Sequence, residues 1–223
     1  MRKLLQIGCV VVALATLVSV ANADTTTNIV QNGTFQTTAP FNSWGYLTLW
    51  AGSTDLTGWT IGGDSIDVVS GSMWQAAPSG GNAIDLSGNA TGLTSQLLNT
   101  VPVGSYWTIS FYLAGNPDNT ASKSVQVSFG SQSWVYTVAG GNTPQDMGWQ
   151  LITISNIQVD NSPTALTFTS LTNSPWGPAI AGVSVVDPAA PSAVPEPGSM
   201  LLLGSGLMGV AGMAARKAKA RKS

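Results

Sequence analysis

Histidine is absent from the whole chain, and the only cysteine is Cys9. Between Asp24 and Asp187 there is also no glutamate, no arginine and one lysine, Lys123. Each absence closes a class of function. A Ser-His-Asp arrangement is impossible without histidine. General acid–base chemistry near neutral pH is left to perturbed carboxylates or to that one lysine. With no cysteine after residue 9, disulfides and thiolate metal sites are excluded from the centre of the chain. Nine Asp against one Lys give 24–187 a net charge of −8, which the whole-chain value of −2 hides. Phosphate binding needs clustered Lys or Arg, so nucleic acid is not a partner. The same charge disfavours anionic lipid surfaces and anionic glycans.

The two ends differ sharply from the centre. Met1-Arg2-Lys3 is a short basic start, Leu4 to Val20 is mostly apolar, and Ala21-Asn22-Ala23 has the small-x-small form that signal peptidase accepts. Residues 1–23 are therefore expected to be a signal peptide cleaved after Ala23. An uncleaved membrane helix fits less well because the run is short. A lipoprotein reading of Gln6-Ile7-Gly8-Cys9 leaves almost no apolar region before the acylated residue. At the other end, Val194-Pro195-Glu196-Pro197 precedes an uncharged stretch, 197–215, and a basic cluster at Arg216, Lys217, Lys219, Arg221 and Lys222. That stretch is just long enough to span a bilayer as a helix, with the basic end held in the cytoplasm. Gly and Ser recur through it, which suits temporary retention followed by cutting near Pro195-Glu196-Pro197.

The centre has no helical periodicity. Apolar and polar residues alternate in Trp107-Thr108-Ile109-Ser110-Phe111-Tyr112-Leu113, at Val125, Val127 and Phe129, at Ile152 and Ile154, and at Leu166 and Phe168. Turn-forming runs separate these segments: Gly62-Gly63-Asp64, Pro78-Ser79-Gly80-Gly81-Asn82, Gly115-Asn116-Pro117-Asp118-Asn119 and Gly140-Gly141-Asn142. Period-2 strands with one polar face and short turns predict an all-β chain, a single antiparallel β-sandwich over 24–187. Residues 188–194 are Pro/Ala-rich and predict an extended linker before the segment 195–223.

The tail, on Val194-Pro195-Glu196-Pro197 followed by the apolar run and the basic cluster, resembles the PEP-CTERM sorting signal of Gram-negative bacteria. That resemblance implies recognition and cleavage by an exosortase-type membrane enzyme, in species that make extracellular polysaccharide. The centre resembles the bacterial choice-of-anchor C domain, itself similar to galactose-binding-like jelly rolls. The matching stretches are Asn28-Ile29-Val30-Gln31-Asn32-Gly33-Thr34-Phe35, Ala51-Gly52-Ser53, Gly58-Trp59-Thr60 and Gly63-Asp64-Ser65-Ile66-Asp67. Further along come Trp74-Gln75-Ala76-Ala77, Ile84-Asp85-Leu86-Ser87-Gly88, Leu113-Ala114-Gly115-Asn116-Pro117-Asp118, Met147-Gly148-Trp149 and Gly177-Pro178-Ala179. The resemblance implies a jelly roll and says little about a ligand. Jelly rolls of this kind often hold a structural Ca²⁺ through a Glu after the Asn-Gly-x-Phe motif and an Asp near the last strand. Here Gln36 and Ala181-Gly182 stand in those places, and losing two carboxylates weakens a site that wants six to eight oxygens. No cofactor is expected.

Three carboxylates, Asp64, Asp67 and Asp85, form a weak candidate metal group, with turn chemistry as the simpler reading. Asp67 and Asp85, both in predicted strand contexts and at a separation the sequence leaves open, are also the pair a glycosidase would need, although solvated or turn-bound carboxylates explain them as well. The positive signal is tryptophan: all eight lie between residues 44 and 176. Trp59, Trp107 and Trp149 suit a core. Trp44, Trp50, Trp74 and Trp176, with Gln75 beside Trp74, are the candidate ligand-binding residues, exposed rings able to stack on sugar faces. The sequence reading is thus an exported, surface-sorted, non-catalytic β-sandwich that binds or is embedded in neutral extracellular polysaccharide. Its alternatives are a matrix or adhesion protein that self-associates, and an Asp-dependent glycosidase.

Overall fold

Eleven strands build two antiparallel sheets in the computed structural model, which describes residues 27–140 and 142–188. The strands are β1 (Tyr46–Trp50), β2 (Thr60–Gly63), β3 (Ser65–Val69), β4 (Ala83–Asp85), β5 (Gly92–Leu98) and β6 (Tyr106–Gly115). They continue with β7 (Lys123–Phe129), β8 (Gln132–Val138), β9 (Gln150–Gln158), β10 (Thr164–Ser170) and β11 (Pro178–Val186). One sheet has the order β1-β3-β4-β11-β6-β9 and the other β2-β5-β10-β7-β8. The predicted all-β jelly-roll sandwich is the observed fold. The signal peptide with Ala21 and Ala23, the linker from residue 189 on, the Pro195-Glu196-Pro197 motif and the segment 197–215 lie outside the described residues.

The alternation that identified β6, β7 and β10 works as expected. Trp107, Ile109, Phe111 and Leu113 of β6 are buried, as are Val125, Val127 and Phe129 of β7 and Leu166 and Phe168 of β10. Five rings run through the space between the sheets. Phe35 meets Trp59 at 5.3 Å between centroids, Trp59 meets Phe168 at 6.3 Å, Phe168 meets Phe111 at 5.1 Å, and Phe111 meets Tyr136 at 6.1 Å. These tilted and edge-on contacts suit aromatic quadrupoles. The N-terminal motif seals one end of this core. Buried Gln96 accepts from Gln31 N through Oε1 and donates to the carbonyls of Gln31 and Gly58 through Nε2. Gly33 lies so close to β11 that an added Cβ would collide with the Val183 carbonyl oxygen, which explains glycine there.

The six-stranded sheet is covered on its outer face too. Small residues on β4, β6 and β11 (Ala83, Ala114, Ala179 and Ala181) let the 71–81 and 142–149 loops lie flat on the sheet, where Trp74, Ala77 and Met147 form a second apolar cluster with Val69. Gln75 clamps the two loops. Its N–H donates to the Pro144 carbonyl at 2.6 Å, its Oε1 accepts from Met147 N at 3.0 Å, and its carbonyl accepts from Trp149 Nε1 at 2.9 Å.

Candidate functional site

Beside that loop cover, the outer face of β1, β3 and β4 is left open as a pocket of about 210 Å³. Its floor is a row of side chains fixed by strand register. Thr48 is opposite Asp67, and Asp67 is opposite Asp85. Directly paired side chains on one face of an antiparallel pair have Cβ atoms about 4.5–5.5 Å apart, so the three form one continuous polar strip. Tyr46 and Val69 make the next row. Four loops complete the walls with Met73 and Trp74, Gly88 and Asn89, Asn116 and Asp118, and Pro175 and Trp176.

Asp85 is buried to 1% exposure and fully engaged. Oδ1 accepts from Ser87 N at 2.9 Å and Gly177 N at 3.0 Å, and Oδ2 accepts from Asn116 Nδ2 at 2.6 Å. It therefore ties the 87–91, 116–119 and 172–177 loops to the sheet. Burial pushes its carboxyl up to about 8; the bond from Asn116 and the two backbone N–H groups pull against that, and neighbouring Asp67 adds to it. Asp67 is half-buried, and burial raises its carboxyl as well, opposed by Thr48 Oγ1 donating to Oδ1 at 2.6 Å. Its other oxygen carries no hydrogen bond among the described residues. Trp74 is buried at 3%, and its Nε1–H has no partner among the described residues. An unmatched buried donor costs about 1–3 kcal/mol, so it is an uncommon feature in a fold.

The pocket unites two of the four candidate tryptophans, Trp74 and Trp176. Trp176 is 39% exposed, as a stacking ring should be. Trp74 corrects its expectation: it is buried, because the Ala-rich sheet face accepts its ring, and only part of it borders the pocket. Trp44 and Trp50 are exposed at 76% and 55% but lie outside the pocket lining. Gln75 is also absent from it; its backbone and Oε1 serve the loop clamp, and it borders a separate depression with Trp149 and Asp146. Trp59 and Trp107 are core residues, and Trp149 is half-buried on the second cluster. Sequence reasoning did not single out Tyr46, Asn89, Asn116 or Asp118.

The acidic candidates divide. Asp64 does sit in a turn, its Oδ2 accepting from Ser65 Oγ at 2.9 Å. Asp67 and Asp85 lie on strands, in keeping with their strand context in the sequence, and not in turns. They are paired across β3 and β4, so distance does not separate them as a glycosidase pair. Burial and three donors on Asp85 do count against a catalytic role. Asn32 closes a loop with Gln36: Oδ1 accepts from Gln36 N at 2.7 Å and Nδ2 donates to the Gln36 carbonyl at 2.9 Å. Ala181 is buried in β11 opposite Tyr112.

Residues 28–186 match the sequence model of a family described as "Protein of unknown function (DUF642)". Residues 193–217 match the PEP-CTERM protein-sorting motif, which marks a chain for export, processing by exosortase in the membrane and sorting to the cell surface. Halomucin of Haloquadratum walsbyi is 32% identical over 168 residues, which is 74% of this chain and 2% of halomucin's length. Among solved structures, TmCBM61 in complex with β-1,4-galactotriose is 19% identical with a TM-score of 0.45, over 59% of this chain and 89% of that one. A family 35 carbohydrate-binding module from Clostridium thermocellum is 13% identical with a TM-score of 0.43, over 63% and 97%.

Proposed function

The chain belongs to the family described as protein of unknown function DUF642, and we propose that it is a non-catalytic module that binds neutral extracellular polysaccharide in the Trp74–Trp176 pocket. The observation that carries this reading is the lining itself. Exposed Trp176 and half-buried Tyr46 offer ring faces, while Asp67, Asn89 and Asp118 offer hydrogen-bonding groups in the same small cavity. Sugars present apolar ring faces and hydroxyls that both donate and accept. Asp67 accepts, buried Trp74 Nε1 donates, and Asn89 does either. Strong net negative charge favours a neutral glycan.

A non-catalytic role rests on Asp85, whose oxygens are committed to Ser87, Gly177 and Asn116. A carboxyl that bonds three loops to a sheet is poorly placed to attack a sugar. The delivered form on this reading begins at Asp24, after cleavage by signal peptidase, and carries the 24–187 domain with its linker. The 197–215 segment holds the chain in the inner membrane of a Gram-negative cell until exosortase cuts near Pro195-Glu196-Pro197, and the domain then reaches the surface or matrix.

Retention of the purified protein on immobilised neutral polysaccharides, read beside a glycan array, tests the reading. Trp176→Ala is expected to weaken binding several-fold, in line with the roughly 1 kcal/mol an aromatic contact contributes beyond burial. No reducing ends are expected to accumulate during incubation. Failure of the unmodified protein to hold to any glycan would sink the binding claim, and steady release of reducing sugar would restore the glycosidase.

A further inference from the structure

The sandwich has four terminal strands, and three of them are blunted. β1 has five residues, β2 has four and ends in Gly62-Gly63, and the ladder of β9 on β6 is broken where Asn156 takes φ 58° and the register shifts near Trp107. β8 is different. It pairs with β7 without interruption from Phe129↔Gln132 to Lys123↔Val138, and its seven residues, Gln-Ser-Trp-Val-Tyr-Thr-Val, include no charge, proline or glycine. Natural edges are normally protected by such devices, because an open edge recruits another strand.

The hairpin geometry says which groups are offered. β7 and β8 are joined by the two-residue loop Gly130-Ser131, with Gly130 at φ 60°, as the first central position of a type II′ turn requires. Phe129 and Gln132 flanking it are then a hydrogen-bonded pair, and the alternation of an antiparallel ladder turns the N–H and C=O of Ser133, Val135 and Thr137 away from β7. No hydrogen bond to these backbone groups from elsewhere is found among the described residues.

We propose that this edge pairs with the β8 edge of a second copy of the chain, antiparallel about a two-fold axis at Val135. The strand is self-complementary in that register. Val135 meets Val135 of the other copy, Trp134 of each meets Tyr136 of the other, and Ser133 meets Thr137. Every outward backbone group in the central five residues finds a partner, about six hydrogen bonds in all. Aromatic cross-strand pairs form on one face and hydroxyl pairs on the other, which are combinations that stabilise sheets. An isologous contact requires this symmetry, and a strand of unrelated sequence would have no reason to show it.

Charge selects the same arrangement. The domain is acidic, but β7, β8 and β10 contain no carboxylate. The nearest one, Asp160, accepts from Ser131 at the hairpin turn. In the antiparallel pairing the two turns lie at opposite ends, roughly 27 Å apart at 3.4 Å per residue. That exceeds the ~10 Å screening length at 0.1 M salt, so the acidic ends do not repel. A parallel pairing would bring them together. The outcome is one continuous sheet across two copies, with both glycan pockets still open on the outer faces of the other sheets and able to act together on a long polymer.

The test uses the full chain in mild detergent with Cys9→Ser as background, followed by sedimentation velocity across a concentration series. A reversible dimer is expected. Val135→Lys places two ammonium groups on the axis and should give a monomer that still binds glycan. Val135→Cys should form a covalent dimer on oxidation, since its two copies sit at Cα spacing compatible with a disulfide. Ser133→Cys, which faces Thr137, should not. A monomer at every concentration, a dimer undisturbed by Val135→Lys, or equal cross-linking by the Ser133→Cys and Val135→Cys variants would each overturn the proposal.

Discussion

Replacing Asp85 with alanine is expected to cost about 3–6 kcal/mol of folding stability, and the cost should shrink as pH rises from 5 to 8. The magnitude follows from what the carboxyl holds. Ser87 N, Gly177 N and Asn116 Nδ2 all donate to it, and both Ser87 and Asn116 are buried. Each donor left without an acceptor loses about 1–3 kcal/mol, partly recovered where a loop shifts toward water. The pH dependence follows from protonation. In the fold the carboxyl titrates at about 8, chiefly because it is buried. In the unfolded chain it titrates near 4. Between those values the folded protein holds a proton that the unfolded chain has released. The stabilisation is therefore complete below about pH 4 and is lost as pH rises through 8. Asp67, also raised by burial, acts in the same direction. Urea unfolding at pH 5, 6.5 and 8 measures both effects. A variant within about 1 kcal/mol of the unmodified protein at pH 5, or a penalty that grows with pH, would contradict this account of the site.

How much of this was visible beforehand depends on strand environment. β6, β7 and β10 have one face in the core and one outside or under thin cover, so their alternation is plain in the sequence. β3 and β4 are almost wholly buried because the 71–81 loop covers their outer face at Val69 and Ala83, and Ser-Ile-Asp-Val-Val and Ala-Ile-Asp show no alternation to find. β9 misleads in part: Ile152 and Ile154 keep period 2, but the left-handed turn at Asn156 places the next buried residue at Ile157. The site suffered from the same gap. Asp67 and Asp85 were named together, yet only the β3–β4 register makes them neighbours. Asn116 and Asp118 sat inside a turn run already identified, where turn chemistry fully explained them. Tyr46 lies on a five-residue strand with no periodic signal. For Trp74 and Trp176 the residue type was enough to mark them; which of them would be buried depended on the alanines of a sheet face that the sequence does not assemble.

Trp74→Phe separates a binding group from a packing group, and here the expected effect is on affinity: a loss of roughly five- to 150-fold with stability nearly unchanged. The indole is buried against Val69, Ala77, Ala83 and Ala179, and phenylalanine keeps most of that contact. The smaller ring leaves a void, which costs stability. It also removes a buried N–H that has no acceptor among the described residues, which returns about 1–3 kcal/mol. The two changes oppose each other and should leave folding within about 1 kcal/mol of the starting value. In the complex the balance is different. Trp74 lines the pocket with part of its ring while its N–H is closed off, and on the proposed reading a shift that opens this N–H to a sugar hydroxyl relieves the burial penalty at the moment of binding. Losing a bond of that kind is worth 1–3 kcal/mol, or roughly five- to 150-fold in affinity. Titration calorimetry with the glycan retained in pull-down, run beside thermal melts, reads both quantities. Affinity that survives Trp74→Phe would show that the indole N–H does not meet the ligand, and would leave Trp176 and Tyr46 to carry recognition by stacking alone.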